Sequence, residues 1–282
     1  YQGNNFIGVI HIRRHYRSHK LCWVVGFIRD IDGTASSQLP GWRLLFNRIA
    51  ARPAEDDLAL FTKARDLLSA IDAANIPCLN GARCHAIGAS KSLQASLLAE
   101  CEVPVPWTHP VSALDWEETL AKVDSQRPLL IKPNAGGRGR GISSPEDVGP
   151  ETFAPDGCAV LQERIESGDG RIHRVEMMGG EVLYEATAPL EAETFDYCLA
   201  GVDDAALTFT TEPLAEIVTY CRRAAKAASL DLGSIEYLID EGGSPWFIDI
   251  NPVSSFVPEV GTRLGHDPFE KISKLLRGLL ER

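Results

Sequence analysis

Three oxygen-bearing side chains near the C-terminus lie close enough along the chain to share one cation. Glu236 sits in the run SIEYLI, and Asp249 and Asn251 sit in FIDIN, with Glu241-Gly242-Gly243-Ser244-Pro245 between them. Both runs are rich in β-branched and aromatic residues, and the segment between them is turn chemistry. Residues 232–256 are therefore expected to form a tight hairpin. Residues two apart on a strand share a face, so Asp249 and Asn251 point the same way, and a short turn brings Glu236 opposite them. Carboxylates crowded in this way repel unless a cation or a proton lies between them. Few, hard oxygen ligands suit Mg²⁺, which keeps waters and shares phosphate oxygens with its substrate. The other reading is an edge strand on which Asp249 faces solvent.

Two lysines and a glycine-rich loop carry the complementary charge. Lys91 opens an expected helix, 91–100, behind Ser90, and Val103-Pro104-Val105-Pro106 stops it. A cation there meets the positive end of the helix dipole. This misfit calls for an anion nearby, unless Lys91 is simply solvated. Lys132 is the lone charge in PLLIKP, residues 128–133, which reads as a buried strand. Asn134-Ala135-Gly136-Gly137-Arg138-Gly139-Arg140-Gly141-Ile142 follows at once. Glycines let backbone amides crowd around phosphate oxygens, and the arginines add charge. Judged alone, the loop is equally a mobile hairpin tip. No helix follows Gly141 and no G-x-x-x-x-G-K-[ST] occurs, so it is neither a dinucleotide fingerprint nor a P-loop. The basic run 13–20, with Arg13, Arg14 and Arg17, reads as a solvated hairpin tip or as an anion-binding lip.

The elements that must position these groups follow from periodicity. Strands are expected at 6–12 and 21–28, a loop at 30–40, a helix at 55–74 and a short strand at 76–79. Further along, a short helix is expected at 115–123 and a strand at 159–165. A hairpin should turn at Gly179-Gly180, with strands 171–178 and 181–188. Residues 191–211 read as irregular, and amphipathic helices are expected at 212–230 and 267–280. The chain of 282 residues is 44% hydrophobic with a formal net charge of −11, which suits a globular protein of one to three subdomains. That acidity argues against nucleic acid or anionic membranes as partners. The seven cysteines show no C-x-x-C spacing, so zinc and a disulfide framework are not expected, and reduced thiols point to the cytoplasm. No membrane span or signal peptide is read.

In order, SKSLQASLL (90–98), VPVPWT (103–108), LLIKPNAGGRGRGI (129–142), VLQERI (160–165) and FIDINP (247–252) resemble the ATP-grasp superfamily, and within it the ribosomal-protein-S6-modifying, RimK-like carboxylate–amine ligases. The resemblance covers roughly 85–281 and implies an α/β (α+β) ATP-grasp fold. A small N-terminal α/β substrate domain (1–85) would precede two α+β subdomains clamping ATP, one central with the glycine lid (86–165) and one C-terminal with the metal site (166–282). By position, Lys91 and Lys132 would contact ATP phosphates. Gln162, Glu163, Arg164 and Ile165 would meet the adenine edge, and Asp169 the ribose. Gly136, Gly137, Arg138, Gly139, Gly141 and Ile142 would form the lid. Glu236, Asp249 and Asn251 would hold Mg²⁺, as two ions. Arg171 would neutralise the transferring phosphoryl group or acyl phosphate, with Lys132 as its catalytic companion.

The implied reaction joins a small-molecule or peptide carboxylate to an amine through an acyl phosphate, releasing ADP and phosphate. Positioning and charge neutralisation would carry it. A small-molecule kinase on the same fold, phosphorylating a hydroxyl, is the alternative. The chain departs from the family pattern in using Asp249 where glutamate is commoner. It also lacks an arginine in Glu185-Ala186-Thr187-Ala188-Pro189, and the segment 191–202 is unassigned. The acid, the amine and the oligomeric state stay open, a dimer being compatible.

Overall fold

A computed structural model describes residues 7–14, 21–27, 42–49, 58–123, 127–137, 139–153, 156–190, 206–253, 265 and 268–280, with side chains from Leu44 onward except at 58, 60, 268, 269, 276, 279 and 280. Arg17, Arg138, the 30–40 loop and the 191–202 segment lie outside the described residues, as do the side chains of Arg13 and Arg14.

The first sheet takes β1 (Ile7–Arg14), β2 (Leu21–Phe27), β3 (Trp42–Ile49) and β4 (Cys78–Leu79) in the order β2-β1-β3-β4, with only β4 running parallel to its neighbour. The sequence reading had no strand at β3, and the reason is burial on both sides. Leu45 and Ile49 pack against α1 (Leu58–Ala73), while Leu44 and Phe46 face the C-terminal sheet. A strand covered on two faces loses clean alternation, and here Asn47 and Arg48 also break the apolar run of Leu44-Leu45-Phe46.

After α2 (Ala82–Gly88), which was also not expected, comes α3 (Lys91–Glu100). The middle sheet is antiparallel and small: β5 (Thr108–Ser112), β6 (Leu129–Pro133) and β7 (Cys158–Glu163) in the order β5-β7-β6, with the short α4 (Trp116–Leu120) outside it. Its core is Val111, Ile131, Ala159 and Leu161.

The third sheet holds β8 (Arg171–Met178), β9 (Glu181–Pro189), β10 (Thr208–Thr210), β11 (Leu232–Ile239) and β12 (Pro245–Asn251), all antiparallel, in the order β10-β9-β8-β11-β12. β10 corrects the expectation of irregular chain up to residue 211. One face of this sheet packs Val175, Ile235, Tyr237 and Phe247 against α3 and α5 (Ala215–Ala228). The opposite face packs Ile172, Met178 and Leu232 against Leu44, Phe46 and Leu79 of the first sheet and Ile272 of α6 (Pro268–Leu280).

Asn80 fastens the first sheet to the third. It is fully buried, and its side chain donates to the Leu232 and Pro252 carbonyls at 2.5 and 2.7 Å and accepts from the amides of Asp231 and Leu232 at 2.9 and 3.1 Å. Both ends of the β11–β12 hairpin are thus held from one residue. Among the described residues, no helix is long and apolar enough to cross a membrane.

Candidate active site

The face of the third sheet turned toward the first sheet is read best in rows across its strands. Pairing puts Arg174, Glu236 and Asp249 side by side on β8, β11 and β12, and Glu176, Ser234 and Asn251 in the next row. Beyond these lies the apolar row of Met178 and Leu232, closed by the first sheet. Alternation along the strands sets this pattern, since every second residue returns to the same face.

Helix α3 carries Lys91 to the charged row. The Ser90 side chain caps the helix by accepting from the Leu93 amide, and the Asn134 side chain accepts from the Ser92 amide at 3.0 Å. The Lys91 amide donates to the Asn134 carbonyl at 2.8 Å, which ties the helix start to the residue opening the glycine loop. Gln94 holds the other side: its carbonyl accepts from the Ile250 amide at 3.1 Å and its amide donates to the Ile250 carbonyl at 3.2 Å. One helix therefore grips both the loop after β6 and the strand bearing Asp249. The Lys91 ammonium forms an ion pair with the Asp249 carboxylate. That carboxylate is the anion which the misplaced helix-start cation called for.

Every charged group here is short of water. Burial, then the Lys91 ammonium, pushes Lys132 down to about 7 against the pull of Asp249 and Glu236. Burial pushes Glu236 up to about 7, with Asp249 and Glu176 adding and Arg174 and Lys91 opposing. Burial would also raise Asp249, but Lys91, Lys132 and the Ile250 amide outweigh it and hold the carboxyl below its ordinary value. Arg174 divides its guanidinium, with Nη1 donating to Glu236 at 2.9 Å and Nε to Glu176 at 2.9 Å.

The donor set fits a hard divalent ion. Glu236 and Asp249 are direct register partners, and the Asn251 amide follows on the same strand. Among the described residues, no group of three or more His, Cys, Asp or Glu side chains can hold a metal. Two carboxylates alone leave most of an octahedral shell to waters and phosphate oxygens, the usual habit of Mg²⁺. A bound cation would favour the ionised form of Glu236, which burial opposes.

Beside the charged row, a small cleft is lined by Leu130, Lys132, Ile142, Gln162, Glu163, Ile165, Leu238 and Ile248. Apolar walls with a few polar groups on the rim suit a flat heteroaromatic ring. Five of these residues come from the nucleotide-binding set expected from sequence. The others, Leu130, Leu238 and Ile248, were missed because they look like ordinary core positions. The glycine loop returns along β6 as a hairpin, with Ile131 and Ser143 exchanging amide bonds at 2.9 and 3.0 Å. Gly136, Gly137, Gly139 and Gly141 lie in this hairpin, with Gly139 and Gly141 at φ 69° and 68°. Arg164 continues the strand edge, its amide donating to the Pro128 carbonyl at 2.9 Å. Gly168 then passes the hairpin tip so closely that a Cβ there would come within 2.5 Å of the Asp240 carbonyl oxygen.

Two expected residues are not brought to the site. Arg171 lies three residues from Arg174, which puts it on the opposite face of β8. Its guanidinium is bonded to Thr187 Oγ1 at 3.0 Å, the Thr187 carbonyl at 3.2 Å and Thr208 Oγ1 at 3.3 Å. Asp169 accepts from Ser167 Oγ at 2.8 Å and meets His173 Nε2 at 2.8 Å, again on the far face. Of the two arginines, it is Arg174 that faces Glu236. Its signal was parity, since position 174 is the β8 partner of Glu236.

No family model matches the chain. The D-alanine–D-alanine ligase of Methylococcus capsulatus is 26% identical over 261 residues, spanning 82% of this chain and 77% of that protein. In solved structures, the D-alanine–D-alanine ligase of Coxiella burnetii superposes with a TM-score of 0.60 at 15% identity, covering 86% of this chain and 72% of the other. The ATP-grasp ligase PsnB, complexed with a precursor peptide and AMPPNP, superposes with a TM-score of 0.54 at 19% identity, covering 79% and 69%. The chain has the ATP-grasp fold. VanG D-Ala:D-Ser ligase of Enterococcus faecalis superposes with a TM-score of 0.58 at 16% identity, covering 85% of this chain and 73% of that one.

Proposed function

We propose that the protein is an ATP- and Mg²⁺-dependent ligase that joins a carboxylate to an amine. The observation that carries this is the convergence of Lys91 from α3 and Lys132 from β6 on the Glu236–Asp249 pair, directly beside the apolar cleft. Adenine would lie against the cleft residues Ile142 and Ile165 on one side and Leu238 and Ile248 on the other. The triphosphate then runs past Lys132 and Lys91. Mg²⁺, held by Glu236, Asp249 and Asn251, would neutralise phosphate charge as it builds up.

The chain's own groups do the rest by placement. Lys91 moves from Asp249 to a phosphate, and Lys132 stays charged beside the anion. Arg174 holds Glu236 and offers positive charge next to the transferring phosphoryl group. The carboxylate oxygen attacks the γ-phosphorus, the bond to the β-phosphate oxygen breaks, and ADP leaves with the electron pair. The amine nitrogen then attacks the acyl carbon. The acyl carbon–oxygen bond breaks, phosphate leaves with that pair, and the nitrogen gives up one proton.

We propose in addition the subdomain boundaries near residues 85 and 165, which agree with one sheet to each part. The RimK-like placement rests on the sequence runs alone. The likeness to D-alanine ligases puts free amino acids beside peptides among the acids to be tried. The net charge of −11 supports a substrate range without nucleic acid.

ADP release is the test, measured across D-alanine, other amino acids and short peptides, with hydroxylamine as trap. A ligase releases ADP only when a carboxylate is present and yields a hydroxamate. A stable phosphorylated product without hydroxamate would identify a kinase instead. Asp249→Asn should lower turnover at least a hundredfold with an unchanged circular dichroism spectrum, and near-normal turnover would remove Asp249 from the site.

A further inference from the structure

The row beyond the metal carboxylates contains two polar oxygens that nothing in the fold satisfies. Glu176 is 3% exposed and Ser234 is fully buried, yet Glu176 Oε2 and Ser234 Oγ have no hydrogen-bond partner. They are cross-strand partners on β8 and β11, on the same face as Glu236 and one same-face position further along β11. That step is about 7 Å at the usual strand rise. The direction is set by the other rows. Leu238 lines the nucleotide cleft, Glu236 comes next, Ser234 follows, and Leu232 enters the core shared with the first sheet. Ser234 and Glu176 therefore lie past the phosphates, where the second substrate must approach.

Buried polar atoms in native proteins are nearly always bonded, so two orphans side by side on one face ask for an absent partner. Both are suited to accept. Glu176 Oε1 is already taken by Arg174 Nε, which leaves Oε2 as a bare acceptor. Arg48 of β3 lies within electrostatic reach of Glu176, so the carboxylate is not an isolated charge. What this row lacks is a short donor bearing several N–H groups. A carboxylate entering here would meet the Glu176 carboxylate, whereas a primary amine supplies hydrogens to both oxygens.

The geometry points to Glu176 and Ser234 as the amine-binding subsite of the reaction, gripping a primary amine by its N–H groups and aiming its nitrogen at the acyl carbon held over the charged row. This rests on the ligase reading for its purpose, and on the two orphaned oxygens for its place.

Binding of two fragments to protein saturated with AMPPNP and Mg²⁺ tests the assignment by ligand-observed NMR. Ethylamine carries an amine without a carboxylate, and propionate a carboxylate without an amine. Wild type should bind ethylamine. Glu176→Gln keeps an acceptor for Arg174 but puts an N–H donor at the free position, so it should weaken ethylamine at least tenfold and propionate less than threefold. Ser234→Ala removes an unsatisfied hydroxyl. It should leave Tm the same or higher while weakening ethylamine about threefold, a combination that a purely structural serine does not produce. No ethylamine binding to wild type, equal binding to all three proteins, or an equal loss of propionate overturns the assignment. The hydroxamate assay reads the ligase claim separately. Hydroxamate without ethylamine discrimination sinks only the subsite, and no hydroxamate from any acid sinks the ligase.

Discussion

Lys91 stands at the end of a helix where a cation is least at home, and the structure pairs it with Asp249. Glu236 has a cation of its own in Arg174. In this structure each of the two carboxylates already faces a protein cation, so a divalent ion bound as proposed would have to displace an ammonium to reach Asp249. On the proposed function, a triphosphate would offer Lys91 another partner and so free the carboxylate. Lys91→Met should therefore tighten Mn²⁺ binding in the absence of nucleotide by about tenfold, or ~1.4 kcal/mol, while weakening ADP. Electron paramagnetic resonance of free Mn²⁺ measures this, and unchanged or weaker binding in the variant would remove Lys91 as a competitor. Lys132 supports the same picture, since burial leaves it only partly charged near pH 7 until an anion arrives.

The elements work as rigid carriers of these residues. Helix α3 is fixed to the glycine loop through Asn134 and to β12 through Gln94, so Lys91 is aimed from both sides. Strand β8 places Arg174 and Glu176 on one face and a second polar group on the other. There His173 bridges Glu185 and Asp169 at 2.7 and 2.8 Å, stacks on Tyr237 with centroids 4.6 Å apart, and shares Glu185 with the Tyr237 hydroxyl at 2.5 Å. Burial disfavours the imidazolium, but the bonds to Glu185 and Asp169 outweigh it and raise the ring above its ordinary value. A group raised on folding stabilises fully below its unfolded value, about 6.5, and the contribution fades as pH rises through the folded one. The melting temperature should thus decline from about pH 6.5 upward. His173→Gln should cost about 1–3 kcal/mol at pH 6 and flatten that decline. Parallel thermal profiles of variant and wild type between pH 6 and 8 would take His173 out of the account.

Across the molecule, the two terminal sheets are joined and the middle one stands apart. The core between first and third sheets runs from Leu44 and Phe46 through Ile172 and Leu232 to Ile272, with Asn80 bonded across it. Among the described residues, the buried cluster of the middle sheet is Val111, Ile131, Ala159 and Leu161, with partly buried Trp107, Trp116, Leu120, Val148 and Phe153 against it. Fewer buried apolar contacts make for cheaper local opening. Amides of Ile131 and Leu161 should exchange at least tenfold faster than those of Val175 and Ile235, and ADP should slow the first pair selectively. Equal rates by hydrogen-exchange mass spectrometry, or protection spread evenly over all sheets, would contradict this division. The apolar cleft lies on that boundary, with Leu130, Gln162 and Ile165 from one side and Leu238 and Ile248 from the other.

The hairpin of β11 and β12, the capped helix at Lys91 and the lone lysine of β6 were legible from sequence. Each rests on contacts within a few residues: alternation, a helix cap, turn chemistry. Strand β3 was not legible, because it is buried on both faces and carries no alternation. The choice between Arg171 and Arg174 was not legible either. Both are arginines on one strand, and only the pairing of β8 with β11 says which faces Glu236. Residue types and local spacing determined what chemistry was at hand. Tertiary structure decided which charges meet, because strand register and helix docking join positions as far apart as Lys91 and Asp249, and no local pattern encodes that distance.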